Sequence, residues 1–137
     1  MPDFSNGWYH GKAARVGVGL QSYDVYREMA ERNITMVVTI TSSVGVFGGS
    51  MQGGGHSHLT SYYGTIADQV LSLQVVTADG RFVTADSQTN QDLFYAIRGG
   101  GASKCHPQTH GPIYFLDFTN KILRYIRYCH LCNHQGA

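Results

Sequence analysis

The chain has 137 residues, of which 42% are hydrophobic and only 14% are charged, and its formal net charge is +1. This length suits one small domain with a core of its own. A net charge so close to zero argues against a nucleic-acid-binding protein or one held at a membrane surface by charge. The sequence has no run of about 18 apolar residues, as a membrane helix needs, and its N-terminus lacks the apolar part of a signal peptide. We therefore expect no nucleic-acid partner, no membrane partner and, by default, a cytoplasmic chain.

The composition changes near residue 103. Residues 1–103 carry six Lys/Arg and eight Asp/Glu, whereas residues 104–137 carry four Lys/Arg, one Asp/Glu, all three cysteines and four of the seven histidines. We predict three regions on this basis. They are an irregular N-terminal segment over 1–12, one folded domain over 13–103, and a divergent, basic, Cys/His-rich tail over 104–137 with at most one helix.

The first predicted elements are a strand, a helix and a second strand. RVGVGL, residues 15–20, alternates apolar and small residues as a strand does. Ser22 offers a hydroxyl that can cap a helix, and the apolar spacing after it predicts a helix that ends near Asn33. ITMVVTI, residues 34–40, is apolar and rich in β-branched residues, which predicts a buried strand.

A hairpin and a short helix follow farther along the chain. VLSLQVVT, residues 70–77, alternates as a strand does, and the Asp-Gly pair at residues 79–80 supplies a turn with positive φ before a partner strand over 81–85. Asn90 can begin a short helix that Gly99 ends. The order strand-helix-strand, glycine-rich loop, hairpin and short helix predicts an α+β fold.

The stretch VGVFGGSMQGGGHS, residues 44–57, contains six glycines. It could be a mobile linker, or a loop whose amides, free of side chains, bind an anion such as a phosphate. The apolar residues Val46, Phe47 and Met51 inside it favour the second interpretation, because a solvated linker needs no apolar side chains. The stretch is not a Walker loop, because no Gly-Lys-Ser/Thr follows it. It is not a dinucleotide-binding fingerprint either, because the strand-loop-helix frame of that motif is missing. The residues alone therefore predict a loop that binds a phosphate-bearing cofactor and that belongs to neither of these two motifs.

Three blocks in register resemble one enzyme family. VGVFGGSMQGGGHSHLTSYYG, ADQVLSLQVVTADGRFVTA and NQDLFYAIRGGG are similar to segments of the FAD-linked oxidoreductases of the berberine bridge enzyme type, within the vanillyl-alcohol oxidase or PCMH-type flavoprotein group. The resemblance covers residues 13–103 and implies a partial PCMH-type FAD-binding domain of an oxidoreductase that uses FAD as hydride acceptor. It implies eight cofactor-binding residues: Val44, Gly45, Gly48 and Gly49 on the flavin side, then Gly53, Gly54, Gly55 and His56.

Departures from the family pattern limit the activity that we expect. Members often attach the flavin covalently through an upstream histidine, and some also through a cysteine whose matching position here is Thr41, so we expect non-covalent FAD. Past Gly101 the family continues into an apolar strand and a substrate domain with the catalytic base, and the tail resembles neither. We predict a truncated oxidoreductase with no catalytic residue in this chain. The alternative is a non-catalytic remnant or partner-binding fragment without flavin, which could associate with itself through an exposed sheet edge.

Smaller features complete the predictions. His56 is expected to pin the loop by a hydrogen bond rather than to act in catalysis, and Asp68 and Gln69 to brace the start of the hairpin. In the tail, Cys129-His-Leu-Cys132 is half of a zinc site, but no trustworthy second half accompanies it, so we predict no metal. Phe118, Ile122 and Ile126 lie at helical spacing, which favours an amphipathic helix there.

Overall fold

The structure is a computed structural model, and it describes residues 3–6, 9–101 and 112–116. The strands are β1 (Asp3–Asn6), β2 (Tyr9–Gly17), β3 (Val70–Val76), β4 (Phe82–Asp86) and β5 (Pro112–Leu116). The helices are α1 (Ser22–Arg32), α2 (Thr60–Tyr63) and α3 (Gln91–Ile97), with a π-helical turn at Val46–Ser50 and a 3-10 turn at Ala67–Gln69. The strands form one antiparallel sheet in the order β1-β2-β5-β3-β4. The predicted α+β class is confirmed.

The N-terminal residues form a β-hairpin, so the prediction of an irregular segment over 1–12 is wrong. Strand β1 pairs with the first part of β2, with Asp3 opposite Lys12 and Asn6 opposite Tyr9. Ser5 and His10 are exposed, so no buried face marks this hairpin in the sequence. The pairing depends on backbone hydrogen bonds, which composition does not reveal.

Strand β5 lies in the middle of the sheet, between β2 and β3. Gly17 stands opposite Pro112 on one side, and Leu73 stands opposite Ile113 on the other. The predicted domain boundary at residue 103 is therefore wrong, since part of the tail completes the sheet. The residues of β5 are apolar, but they stand in a Cys/His-rich part of the sequence, and the strand was therefore not predicted. The predicted tail helix and the Cys-x-x-Cys pair lie outside the described residues.

Residues 35–39 are buried as predicted, whereas Ile34 is half-buried and Ile40 is 49% exposed. The segment over residues 34–40 is not a strand in the described part of the chain. Met36, Val37 and Val38 are at most 2% exposed. The Tyr26 hydroxyl donates to the carbonyl oxygen of Thr39 at 2.8 Å and so ties the segment to α1. Partial burial raises the pKa of that hydroxyl. Apolar composition predicted the burial correctly, but a strand also needs the backbone of a partner.

The N-terminal cap of helix α1 lies one residue earlier than predicted, and the helix itself begins at Ser22. Gln21 is the capping residue, and its amide donates to the Asp24 carboxylate at 3.3 Å. The Ser22 side chain is instead buried, where it bonds to the hydroxyl of Thr39 and donates to the carbonyl oxygen of Val44. The helix ends before Asn33, as predicted, and that residue adopts the left-handed conformation with φ 52°.

The hairpin and the short helix occur where they were predicted. Gly80 has φ 82°, but it is the sole residue of the predicted Asp-Gly turn pair with positive φ. Asn90 precedes α3, although its side chain does not cap the helix and donates to the carbonyl oxygen of Thr84 at 2.7 Å. Gly99 follows with φ 109°. A Cβ at Gly99 would lie 4.0 Å from the Cα of Gly54, so the end of α3 lies beside the glycine-rich stretch.

Candidate functional site

The glycine-rich stretch is folded, and its apolar residues hold it in the core. Val46, Phe47 and Met51 are completely buried. Residues Val46–Ser50 form the π-helical turn, in which the Ser50 amide donates to the carbonyl oxygen of Gly45 at 3.3 Å. Such anchoring excludes the mobile-linker interpretation of this stretch.

The start of the stretch is fixed to the beginning of α1. The Val44 carbonyl oxygen accepts a hydrogen bond from the Ser22 amide at 2.9 Å, and the Val46 amide donates to the Leu20 carbonyl oxygen at 3.4 Å. Gly45 therefore lies opposite Gln21 in an isolated antiparallel bridge. The first predicted cofactor-binding residues are thereby held beside the N-terminus of α1.

The end of the stretch is fixed to the segment before β3. Gly54 and Gly55 have φ values of 94° and 75°. Their carbonyl oxygens accept hydrogen bonds from the amides of Ala67 and Ile66, at 2.9 and 3.0 Å respectively. These positive φ values are ones that glycine adopts without strain, and they point two successive carbonyl groups at one partner segment.

The third sequence block reaches the same place. The Gly101 amide donates to the carbonyl oxygen of Gln52 at 2.8 Å. The Nε of Arg98 donates to the carbonyl oxygen of Ala67 at 2.7 Å. All three blocks of the family resemblance therefore meet around residues 52–55. Sequence reasoning did not single out Arg98, because its partner lies 31 residues away.

None of the eight predicted cofactor-binding residues is buried. Four are exposed and four are half-buried. The exposed ones are Gly45, Gly49, Gly53 and His56, and the half-buried ones are Val44, Gly48, Gly54 and Gly55. The apolar side chains Val46, Phe47 and Met51 of the stretch are thus buried, whereas the backbone of its glycines is accessible. A loop that binds a ligand through its backbone requires this arrangement.

Gly45, Gly48 and Gly49 have no internal reason to be glycine. None of them has positive φ. A Cβ added at Gly45 or Gly49 would meet nothing within 4 Å, and at Gly48 it would meet a single ordinary contact at 3.7 Å. Gly45 is the N-cap of the π-helical turn, and Gly48 and Gly49 lie within it. Glycine inside a helical turn costs about 1 kcal/mol relative to alanine, so the fold alone does not explain Gly48 and Gly49. Glycine at such positions leaves room for another group to approach the backbone closely.

The chemistry of this backbone fits a ligand with anionic or carbonyl oxygens. The Val46 amide, at the start of the turn, already donates to the Leu20 carbonyl oxygen, so the backbone considered for a ligand is that of Gly45, Gly48 and Gly49. Amides without neighbouring side chains can form an anion-binding concavity. The residues present therefore suit the phosphates and ring carbonyl groups of a dinucleotide-like cofactor.

Other predicted residues have structural roles. The Asp68 carboxylate accepts hydrogen bonds from the amide and hydroxyl of Thr65 at 2.7 and 2.8 Å, and Gln69 donates to the Thr65 carbonyl oxygen at 3.2 Å. Both residues brace the turn before β3, as predicted. His56 is exposed, and the hydrogen bonds at this end of the loop come from Ser57, whose amide donates to the Thr60 hydroxyl at 2.9 Å.

The described ranges contain neither a metal site nor a membrane helix. Within them, no three His, Cys, Asp or Glu side chains are grouped so that they could hold a metal ion. No helix in the same part of the chain combines the length and apolar character needed to cross a membrane.

The chain is similar to known flavoproteins. Residues 8–86 match the family described as FAD binding domain. An uncharacterized FAD-linked oxidoreductase of Arthroderma benhamiae is 45% identical over 91 residues, which cover 66% of this chain and 16% of that protein. The crystal structure of the VAO-type flavoprotein MtVAO615 from Myceliophthora thermophila C1 matches with a TM-score of 0.78 and 35% identity, over 85% of this chain and 21% of the other. Glucooligosaccharide oxidase from Acremonium strictum matches with a TM-score of 0.68 and 28% identity, over 77% and 22% of the two chains. The chain thus spans about a fifth of the length of these relatives.

Proposed function

Because the chain belongs to the FAD binding domain family, we propose that it forms the FAD-binding portion of a longer FAD-dependent oxidoreductase, with the eight predicted cofactor-binding residues of the glycine-rich stretch against the cofactor. The observation that carries this assignment is the set of glycines that the fold itself does not need. Gly45 and Gly49 are exposed, have no positive φ and face open space. A bound cofactor would occupy that space.

Each half of the loop has its own part in the proposed site. Val44, Gly45, Gly48 and Gly49 would lie on the flavin side, where the amides of the three glycines can donate to carbonyl or phosphate oxygens. Gly53, Gly54, Gly55 and His56 would complete the loop. FAD, when bound, supplies the acceptor for a hydride taken from a substrate. The contribution of this chain is to bind and orient that cofactor.

The oxidation of a small-molecule substrate belongs to the whole protein. Hydride transfer needs a positioned substrate and usually a base. We assign no catalytic acid or base to any described residue, and we place the substrate-binding and catalytic groups in parts of the protein outside this chain. The same proposal accounts for a chain that spans about a fifth of its relatives.

Attachment of FAD through this chain would be non-covalent. The flavin of glucooligosaccharide oxidase is described as 6-S-cysteinyl, 8α-N1-histidyl FAD. At the position that we match to that cysteine, the present chain has Thr41, which is exposed and whose hydroxyl cannot form the thioether bond. The described part of the chain contains no cysteine. We therefore expect acid precipitation to release all bound flavin into the supernatant.

A titration with FAD tests the proposed function. The purified chain is mixed with FAD, and flavin fluorescence and co-elution of yellow colour in gel filtration are measured. Riboflavin, which lacks both phosphates, is the matched control ligand. We expect FAD to be retained and riboflavin to bind more weakly. A chain that circular dichroism shows to be folded but that retains no FAD would contradict the proposal.

A partner-binding role through a sheet edge has one specific observation in its favour. Strand β4 has β3 as its single neighbour among the described strands. Phe82 at its start is 60% exposed. An unpaired edge next to an exposed aromatic side chain favours association with another strand. We propose self-association through β4 as a second property of the chain, compatible with FAD binding.

A further inference from the structure

Arg98 joins two segments that are distant in sequence and that both border the glycine-rich stretch. It follows α3 directly, and its Nε donates to the carbonyl oxygen of Ala67 at 2.7 Å. Its guanidinium carbon lies 4.7 Å from the centre of the Phe94 ring. The side chain is half-buried, so the planar cation is held between a ring and a carbonyl group instead of extending into solvent.

The partner of Arg98 is itself bonded to the loop. The Ala67 amide donates to the carbonyl oxygen of Gly54 at 2.9 Å, and the neighbouring Ile66 amide donates to that of Gly55 at 3.0 Å. Ala67 is 3% exposed and Ile66 is completely buried. A change in the position of Ala67 would therefore move the turn that contains Gly54 and Gly55.

The residues after Arg98 reach the loop by a second route. The Gly101 amide donates to the carbonyl oxygen of Gln52 at 2.8 Å. A Cβ on Gly99 would lie 4.0 Å from the Cα of Gly54. One short segment, Arg98–Gly101, thus holds the loop from one side and holds Ala67 from the other.

An arginine is placed here at a cost in solvation. Burial lowers the pKa of the Arg98 guanidinium, and the nearby Asp68 carboxylate partly opposes that change. A half-buried cation needs a compensating role, because loss of solvation disfavours the charged form. A guanidinium can donate to a carbonyl oxygen through its edge while its flat face contacts a ring, and an ammonium reproduces this combination only in part.

We propose that Arg98 is a positioning residue for the FAD loop, which holds Ala67 and through it the Gly54–Gly55 turn in the conformation that binds the cofactor. The inference rests on the proposed function. It extends that function to a residue outside the loop that does not need to touch FAD.

Hydrogen exchange and FAD affinity together test this role. The proteins compared are the wild-type chain, Arg98→Met, Arg98→Lys and the control Arg32→Met, whose arginine is exposed and paired with Glu28 at 2.8 Å on α1. In Arg98→Met we expect the Ala67 amide to exchange at least about tenfold faster. The reason is that the charge-assisted hydrogen bond from Arg98, which fixes the carbonyl group of the same residue, is lost. The amide of Thr77, which donates to Arg81 in the hairpin, should be unchanged.

The affinity measurement separates positioning from general stability. We expect Arg98→Met to weaken FAD binding at least about tenfold, Arg98→Lys to have an intermediate effect, and Arg32→Met to have none. Unchanged exchange at Ala67, or unchanged FAD affinity in Arg98→Met, would overturn the inference. If the wild-type chain binds no FAD, the proposed function fails, and the exchange at Ala67 alone decides whether Arg98 holds the loop.

Discussion

Gly55 packs so closely against Ile66 that a Cβ at residue 55 would lie 2.8 Å from the Cβ of Ile66. Gly55 also has φ 75°, a conformation that costs other residues about 1–2 kcal/mol. Ile66 is completely buried. The final glycine of the GGG run is therefore a structural requirement, in contrast to Gly49 earlier in the same stretch.

Replacement of Gly55 by alanine should destabilise the chain by about 3 kcal/mol. This value combines the positive φ with overpacking against a buried side chain, which costs about 1–3 kcal/mol. Gly80→Ala is the matched control, because Gly80 has φ 82° but open space around its Cα. It should cost about 1 kcal/mol. Urea unfolding of both variants measures the difference, and equal costs would show that the contact with Ile66 is unimportant.

Replacement of Gly49 by alanine should have opposite effects on stability and on binding. An alanine in this turn meets no neighbour and should raise the free energy of unfolding by about 0.5–1 kcal/mol. The added methyl group would lie where the cofactor approaches the backbone, so FAD affinity should fall about tenfold or more. Urea unfolding and FAD titration measure the two quantities.

Ser50→Ala is the matched control for Gly49→Ala, since it changes the next residue of the same turn without filling a glycine position. We expect it to leave FAD affinity unchanged. A Gly49→Ala variant that binds FAD as tightly as the wild-type chain would remove the reason for placing the flavin at this turn.

The sequence predicted burial better than it predicted pairing. Residues 35–39 are buried as their composition indicates, yet the segment over 34–40 forms no strand in the described part of the chain. Conversely, β1 and the beginning of β2 pair although His10 is exposed. Apolar patterns report on the transfer of side chains from water, whereas a strand depends on which backbone lies alongside it. That information comes from residues far away in the chain.

The candidate site was predictable in its loop but not in its support. Glycine spacing and the apolar anchors Phe47 and Met51 indicated a folded loop, and both anchors are buried. Arg98 gave no signal, because its hydrogen bond to Ala67 depends on a contact across 31 residues. Strand β5 was missed for a similar reason, since its place between β2 and β3 is a property of the whole sheet.

Replacement of Phe82 by lysine should reduce self-association. Phe82 is 60% exposed at the start of an edge strand, and a charged side chain on such an edge opposes pairing with another chain. Gel filtration with light scattering should show a larger monomer fraction for Phe82→Lys at the same protein concentration. Tyr23→Lys is the matched control, because Tyr23 is 61% exposed but lies on α1. An equal shift in both variants would point to net charge instead of the β4 edge.

Asp79 should make the hairpin sensitive to acid. A hydrogen bond from the Thr77 hydroxyl, and then one from Arg81, lower the pKa of the Asp79 carboxyl below its ordinary value of 3.8. A carboxyl whose pKa is lower in the folded chain contributes stability above its ordinary pKa, and that contribution is lost as pH falls through the folded value. Asp79→Asn removes the titrating group, so the variant should be less stable than the wild-type chain near neutral pH.

The difference in free energy of unfolding between the wild-type chain and Asp79→Asn should therefore shrink as the pH is lowered from about 6 to about 3. Asp79 and Arg81 are exposed, so added salt should also reduce this difference at neutral pH by screening the pair. Urea unfolding across this pH range provides the measurement. A difference that stays constant between neutral and acidic pH would mean that the asparagine changes the turn by its shape and not by its lost charge.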